Sequence, residues 1–215
     1  MRRGERFPLE QLAPFLLSVP QAPTTLSWPD IFGNDHTVEV EVGFGKGLFL
    51  LNAARARPEI NFLGIEILRK YQLFTATRLA KRQIPNVRVA CADARAFFRD
   101  YLAPASVQGL HVYFPDPWWK KRHHKRRLFT PDFARECERI LRPGGLLYVV
   151  TDVEEYFGVM TGLVAQHTGL RQVAMPVPRE PTHDLDYLTN FERKFRKERR
   201  PIFRATYERA SHSSV

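Results

Sequence analysis

A chain of 215 residues, 44% hydrophobic and 26% charged, is long enough to bury a sizeable apolar core and too short for two full domains. Its 33 Lys and Arg against 23 Asp and Glu leave a formal charge of +10, which points to an acidic partner, nucleic acid before anionic membrane. Two cysteines with neither metal-ligand spacing nor a C-x-x-C pair, Cys91 and Cys137, read as thiols of a reducing cytosol rather than a metal site. No apolar run reaches the ~18 residues of a membrane helix. Glu10, Gln11 and Pro14 interrupt any signal-peptide core, so a cytoplasmic protein is expected.

Along the chain, five prolines (Pro8, Pro14, Pro20, Pro23 and Pro29) rule out long regular elements near the start. Residues 1–35 are therefore expected as an arm laid over a domain that spans 36–215. Residues 37–42 read as a strand, 48–57 as a helix before Pro58, and 61–66 as a second strand. Residues 69–83 form a polar helix with apolar Leu73, Ala76, Leu79 and Ala80. Strands follow at 87–92 and 110–114, the latter ended by Pro115. A helix at 131–141 has Pro131 in its first turn, where proline is tolerated. Pro143-Gly144-Gly145 predicts a turn before a strand at 146–150, and 153–167 is helical with Gly169 beyond its end. Residues 202–207 alternate like a strand with no helix after it, which suits an antiparallel addition to the sheet. Strands alternating with helices predict an α/β fold, a mostly parallel sheet covered by helices on both faces. Ligands of such sheets sit at the carboxyl ends of the strands.

Glu41-Val42-Gly43-Phe44-Gly45-Lys46-Gly47 follows the first of these strands. Its glycines allow a tight turn and a close ligand. A dinucleotide fingerprint would need glycine at position 48, which is Leu48. What remains, E-x-G-x-G-x-G, resembles the first motif of S-adenosylmethionine-dependent methyltransferases, whose cofactor has no pyrophosphate to cradle. Glu41 suits its cationic end. Glu66 ends the second strand 23 residues after Gly43, close to the offset of a ribose-binding acid. Asp93 follows the third strand and suits either the nucleoside or a helix N-cap.

The fourth strand is followed by Pro115-Asp116-Pro117-Trp118-Trp119, then by eight residues of which six are Lys or Arg and two are His. Prolines on both sides fix Asp116, the candidate catalytic carboxylate, and the tryptophans offer stacking faces. Arg122, His123, Lys125, Arg126 and Arg127 lie beside the predicted site, as a phosphate-binding loop would, rather than in a tail as a localisation signal would. This run matches P-D-P-W-x-K-x-R-H-x-K-R-R without a gap, and the chain thereby resembles the tRNA (guanine-N7-)-methyltransferases. The resemblance spans residues 28–207 and includes Ile31-Phe32-Gly33-Asn34, Thr151-Asp152 with Tyr156, and Thr189-Asn190-Phe191-Glu192.

The resemblance implies a Rossmann-like class I fold with a seven-stranded sheet. It implies transfer of the methyl group of S-adenosylmethionine to N7 of a guanine in the tRNA variable loop. Glu41, Gly43, Gly45, Glu66, Asp93 and Asp116 would contact the cofactor, and Lys120, Asp152, Thr189, Asn190, Phe191 and Glu192 the guanosine. No obligatory protein partner, membrane or metal is implied, and the enzyme would be a monomer or homodimer. Asp152 also suits a helix N-cap before Val153. Rival readings are a ribosomal RNA methyltransferase, an NAD-dependent oxidoreductase and a catalytically dead RNA-binding protein. The basic run, the missing third glycine and the four intact acids argue against them in turn.

Overall fold

The computed structural model describes residues 7–174 and 189–211. It begins with a short helix α1 (Leu9–Leu12), a two-residue strand β1 (Leu16–Leu17) and α2 (Trp28–Phe32), which is capped by Ser27. Strands and helices then alternate: β2 (Val38–Val42), α3 (Leu48–Ala56), β3 (Asn61–Glu66), α4 (Arg69–Arg82), β4 (Val87–Cys91), α5 (Ala94–Tyr101) and β5 (Val107–Tyr113). They continue as α6 (Pro131–Ile140), β6 (Leu141–Thr151), α7 (Glu154–His167), β7 (Arg171–Val173), α8 (Asn190–Lys197) and β8 (Phe203–Glu208).

The strands form one sheet in the order β1-β4-β3-β2-β5-β6-β8-β7. Pairing is parallel from β1 to β6, and β8 runs antiparallel to both β6 and β7. The order reverses between β2 and β5, so the switch point lies there. The expected α/β class, the mostly parallel sheet and the antiparallel late strand are all present. The sheet has eight strands rather than seven because β1 pairs with β4, Leu16 opposite Val89. Prolines in the arm forbid long elements but not a two-residue one. The turn expected at residues 143–145 is an irregularity within β6, where the register against β5 shifts between Leu141 and Leu146.

Alternation divides each central strand between two apolar layers. Val38, Val40, Val42, Leu110, Val112, Leu147 and Val149 face a cluster shared with α5, α6 and α7. Phe62, Val89, Tyr113 and Val150 face a second cluster shared with α3 and α4. Glu39 and Glu41 alternate with the valines of β2 and belong to the α3 side, both buried. The arm is tied on by hydrogen bonds of 2.9 Å from Trp28 Nε1 to the Ser106 carbonyl and from Tyr101 Oη to the Pro20 carbonyl.

Glu39 is matched within the layer. Arg57, just past α3, donates to its two oxygens at 2.5 and 2.8 Å, and His111 Nε2 lies 2.9 Å from Oε2. His111 Nδ1 is 2.7 Å from the Tyr113 hydroxyl. A neutral imidazole protonated on Nε2 satisfies both neighbours, donating to Glu39 and accepting from Tyr113. Burial opposes ionisation of Glu39, but the hydrogen bonds from His111 and Arg57 outweigh it and hold the pKa at about 2. Burial holds His111 below its ordinary value of 6.5, against the pull of Glu39.

Both groups bind protons more readily in the unfolded chain, so acid favours unfolding. The Glu39 contribution is complete above its ordinary pKa of 4.5 and is lost as pH falls from there towards about 2. Stability should begin to decline below pH 6.5, as His111 of the unfolded chain takes up its proton, and fall more steeply below 4.5. Glu39→Gln should cost about 1–3 kcal/mol at pH 7 and remove the steeper acidic segment. Urea unfolding at a series of pH values checks this, and a variant as acid-sensitive as the parent would refute it.

Candidate active site

The loop after β2 is built on glycines that the backbone requires. Gly43 and Gly45 have φ of +74° and +50°, a region that costs other residues about 1–2 kcal/mol. A Cβ on either would meet nothing within 4 Å, so the loop faces open space where a ligand can lie close to the main chain. The loop's other side is packed onto α4. Thr75 Oγ1 donates to the Gly45 carbonyl at 3.3 Å, and Arg78 donates to the Lys46 carbonyl.

Glu66, at the end of β3, holds the loop from below. Its Oε2 accepts from the Gly45 amide at 3.0 Å and its Oε1 from the Leu68 amide at 3.1 Å. Each oxygen keeps a second lone-pair direction for a hydroxyl donor. Glu41 has no such support. It is 3% exposed, and its Oε2 is buried without a hydrogen-bond partner. Burial first, and the neighbouring Glu66 carboxylate second, push its pKa well above the ordinary value. An unpartnered buried acceptor costs about 1–3 kcal/mol, and a cation or N–H donor arriving over the glycine loop relieves that cost. Asp93 is the N-cap of α5, accepting from the Arg95 amide at 2.9 Å and pairing with its guanidinium at 3.1 Å. Burial opposes ionisation of Asp93, and the Arg95 contacts reverse that and lower its pKa. The capping role is thus realised, on a half-exposed carboxylate at the end of β4.

The loop after β5 is strained and braced. Phe114 and Trp118, on either side of Pro115-Asp116-Pro117, have φ of +51° and +46°. Non-glycine residues hold such angles only where their surroundings fix them. Arg127 supplies the fixing: its Nε donates to the Pro117 carbonyl at 2.7 Å, and its guanidinium lies 4.9 Å over the Tyr156 ring. Arg127 is buried, so it belongs to the frame of the loop and not to the exposed basic surface where the sequence pattern put it. Residues Lys121–Arg126 form a 3-10 turn. Asp116, Lys120, Arg122, Lys125 and Arg126 are exposed, and His123 is half-buried. Trp118 is engaged by Arg126 at 5.1 Å over its face and by His123 edge-on at 5.8 Å, whereas Trp119 is 65% exposed and presents a free ring.

Asp152 follows β6 and is ion-paired with Arg200, whose guanidinium lies 4.3 Å over the Phe195 ring. Helix α7 starts at Glu154 with no side-chain cap, so Asp152 does not serve as its N-cap. Thr189 caps α8, accepting from the Glu192 amide at 3.0 Å. Glu192 is buried and bridges Arg204 at 2.6 Å and Arg196 at 3.1 Å, which ties α8 to β8. Asn190 accepts from Arg193 at 3.5 Å. Phe191, half exposed, stands in a cluster with Phe195 and Phe114, centroids 5.4–6.1 Å apart.

All these groups share one edge of the sheet. Glu41, Glu66 and the two glycines form one unit, with Asp93 a strand beyond Glu66; Asp116, Asp152 and α8 lie across the switch point, joined through Phe114. The span from β4 to β6 is four strand spacings, about 19 Å. Sequence reasoning placed Arg200 only among the cations of the basic tail, and missed its pairing with Asp152, the part played by Phe114 and the bracing role of Arg127. No spacing marks an arginine 48 residues downstream as the partner of Asp152.

Comparison with known proteins agrees with this geometry. A family model described as "Putative methyltransferase" matches residues 35–205. The tRNA (guanine-N(7)-)-methyltransferase of Rhodopirellula baltica is 42% identical over 212 residues, covering 95% of this chain and 78% of that protein. Its namesake from Vibrio cholerae is 32% identical, covering 98% and 88%. Among solved structures, the 16S rRNA methyltransferase KamB aligns with a TM-score of 0.62 at 18% identity, over 85% of this chain and 92% of that one. An antibiotic-related methyltransferase gives 0.63 at 15% identity, over 86% and 96%. At such identities the solved structures speak for the fold alone. Sequence relatives and family model together settle the membership: the chain belongs to the tRNA (guanine-N(7)-)-methyltransferase family.

Proposed function

We propose that this protein transfers the methyl group of S-adenosylmethionine to N7 of a guanine in the tRNA variable loop, giving 7-methylguanosine and S-adenosylhomocysteine. The observation that carries this reading is the pairing of two sites across the β2/β5 switch point. One is an unpartnered buried carboxylate under an open glycine loop; the other is a fixed aspartate beside an exposed cationic loop. Glu41, Gly43, Gly45, Glu66, Asp93 and Asp116 hold the cofactor. Lys120, Asp152 and residues 189–192 hold the guanosine. Arg122, His123, Lys125 and Arg126 meet RNA phosphates. The enzyme works in the cytoplasm as a monomer or homodimer, without an obligatory protein partner.

The cofactor supplies an electrophilic methyl group on a sulfonium centre. Guanine N7 carries a free lone pair at neutral pH, so the protein has no proton to remove and its task is alignment. The strained loop keeps Asp116 fixed, and its carboxylate stabilises the positive charge that passes to the purine. Asp152 accepts hydrogen bonds from guanine N1–H and N2–H₂, an edge that adenine lacks. Arg200 orients that carboxylate. Glu192, paired with Arg196 and Arg204, also sets the position of α8 and with it that of Thr189, Asn190 and Phe191.

Incubation with unfractionated tRNA and labelled cofactor, followed by nucleoside analysis, should yield 7-methylguanosine. A labelled nucleoside other than 7-methylguanosine, or label in ribosomal RNA alone, would overturn the reading. Glu66→Ala removes hydroxyl acceptors and a brace of the glycine loop, and should weaken S-adenosylhomocysteine binding by about 1–3 kcal/mol in calorimetry. Unaltered affinity would sink that assignment.

Because Glu41 is held protonated above the ordinary carboxylate range, binding a cationic ligand favours its ionised form. Affinity for S-adenosylmethionine should therefore rise with pH through the Glu41 titration, with a proton released on binding. In Glu41→Gln the affinity should be low and flat with pH. Asp116→Asn, which keeps the shape and removes the charge, should lower kcat by about 10²–10³-fold with folding intact, and near-normal turnover would leave the carboxylate a purely structural part.

A further inference from the structure

The cations of this protein fall into two populations. Arg57, Arg95, Arg99, Arg135, Arg139, Arg200 and Arg204 are each paired with a carboxylate. Helix α4 is the opposite case. Its fourteen residues, RKYQLFTATRLAKR, hold five cations and no acid, and among the described residues none of Arg69, Lys70, Arg78, Lys81 and Arg82 is ion-paired. Two of them stand in the first turn, where the helix dipole disfavours positive charge. Arg78 and Arg82 repel each other four residues apart. Lys81 and Arg82 stand in the last turn, where the dipole favours them, but helix stability does not explain Arg69, Lys70 and Arg78, and an anionic partner does.

Lys70, Phe74, Arg78 and Arg82 follow one another at four-residue spacing, which places them on one slowly winding stripe. Lys70, Phe74 and Arg82 are exposed, Phe74 to 47%, and the Arg78 guanidinium stands 5.9 Å over the Phe74 ring. The stripe is continuous with the proposed active site at two points. Arg78 donates to the Lys46 carbonyl of the glycine loop. It also lies near enough to Arg193 on α8 for the two charges to act on each other, and α8 carries Phe191 against Phe114 of the Asp116 loop.

We propose that the Lys70–Phe74–Arg78–Arg82 stripe of α4 is a second RNA-docking surface, which holds the sugar-phosphate backbone of the tRNA on the cofactor side of the site. Cations tracking a backbone beside an exposed aromatic ring match the chemistry of single-stranded and loop RNA. The inference rests on the proposed tRNA substrate. It adds to the loop at 120–126 a contact on the other side of the switch point, so that the target guanosine is approached with its flanking nucleotides held on both sides.

The test uses the full chain and unfractionated tRNA. Lys70→Ala/Arg82→Ala removes two exposed cations of the stripe and leaves the Arg78 brace in place. Arg142→Ala/Arg171→Ala removes the same net charge at the far end of the sheet. Thermal melting and S-adenosylhomocysteine binding, expected unchanged, confirm that both variants are folded. At low salt the stripe variant should bind tRNA on the order of tenfold more weakly, with the slope of log K against log salt flatter by about one to two contacts at ~0.7–0.9 each. The control pair should change little, and Phe74→Ala should weaken binding without altering the slope. Equal slopes in the stripe variant and its parent, or equal losses in stripe and control pairs, overturn the proposal. So does a loss confined to phosphatidylserine vesicles, which would make the stripe a lipid contact. Formation of 7-methylguanosine by the parent is scored separately, so a parent that binds tRNA through the stripe but forms none refutes the catalytic reading alone.

Discussion

Two carboxylates on one buried face of β2 set the terms for the rest of this structure. Glu39 and Glu41 are two residues apart and enter the same layer, where a bare negative charge is costly. The layer answers one of them fully. Arg57 comes from the end of α3, His111 from β5, and Tyr113 and Tyr148 extend the network, Tyr148 stacked on the imidazole at 4.7 Å. A satisfied buried network of this kind fixes the register of β2 against β5 as well as the charge. Glu41, one pleat nearer the carboxyl edge, keeps one buried oxygen without a hydrogen-bond partner and has the Glu66 carboxylate close by. The same strand thus carries a finished polar site and an unfinished one, and the unfinished one opens towards the glycine loop. Instability left at a strand end, where the fold admits a ligand, is the structural counterpart of binding energy.

The other side of the switch point holds its energy in the backbone. Phe114 and Trp118 take left-handed angles around a Pro-Asp-Pro core, an arrangement that would relax if the loop were free. Arg127 prevents this by bridging the Pro117 carbonyl and the Tyr156 ring. A side chain from the basic run has been drawn inward to hold the loop whose neighbouring cations remain outside. This division explains how a loop so rich in like charges keeps one shape: its rigidity comes from a buried brace, and its exposed members are left for an anionic partner.

The fold was legible where alternation is strong. V-E-V-E-V in β2, the valine-rich 87–91 stretch and the apolar 146–150 stretch each marked a strand, and acids or glycines after them marked the ligand edge. What escaped had weak or distributed signals. Strand β1 is two residues long and owes its existence to a free edge of β4; α5 has eight residues, two of them adjacent phenylalanines that read equally well as strand. The site was legible in its acids and in the P-D-P-W run because those residues are close in sequence. Partners contributed from a distance were not. Arg200 reaches Asp152 only because β8 returns antiparallel beside β6; alternation over 202–207 predicts an antiparallel late strand but not which strand it joins. Arg127 was assigned by its neighbours' chemistry, although burial separates it from them.

Buried acids and exposed cations meet along this edge, and the fold keeps them from cancelling by depth. Glu41 and Glu66 lie within the sheet layer, under the glycine loop and away from bulk solvent. The cations of the 120–126 loop and of α4 stand outside, where salt and water screen them. Had the acids been exposed, they would have paired with those cations and left neither free for a ligand. Burial of the acids therefore serves the basic surface as much as it serves the cofactor pocket. Where an acid and a cation do meet across the boundary, as Asp152 and Arg200 do, the pair sits after β6, across the switch point from the glycine loop. The placement of each charge follows from the sign of the group it faces, and the strand ends supply the geometry that keeps the two sets apart.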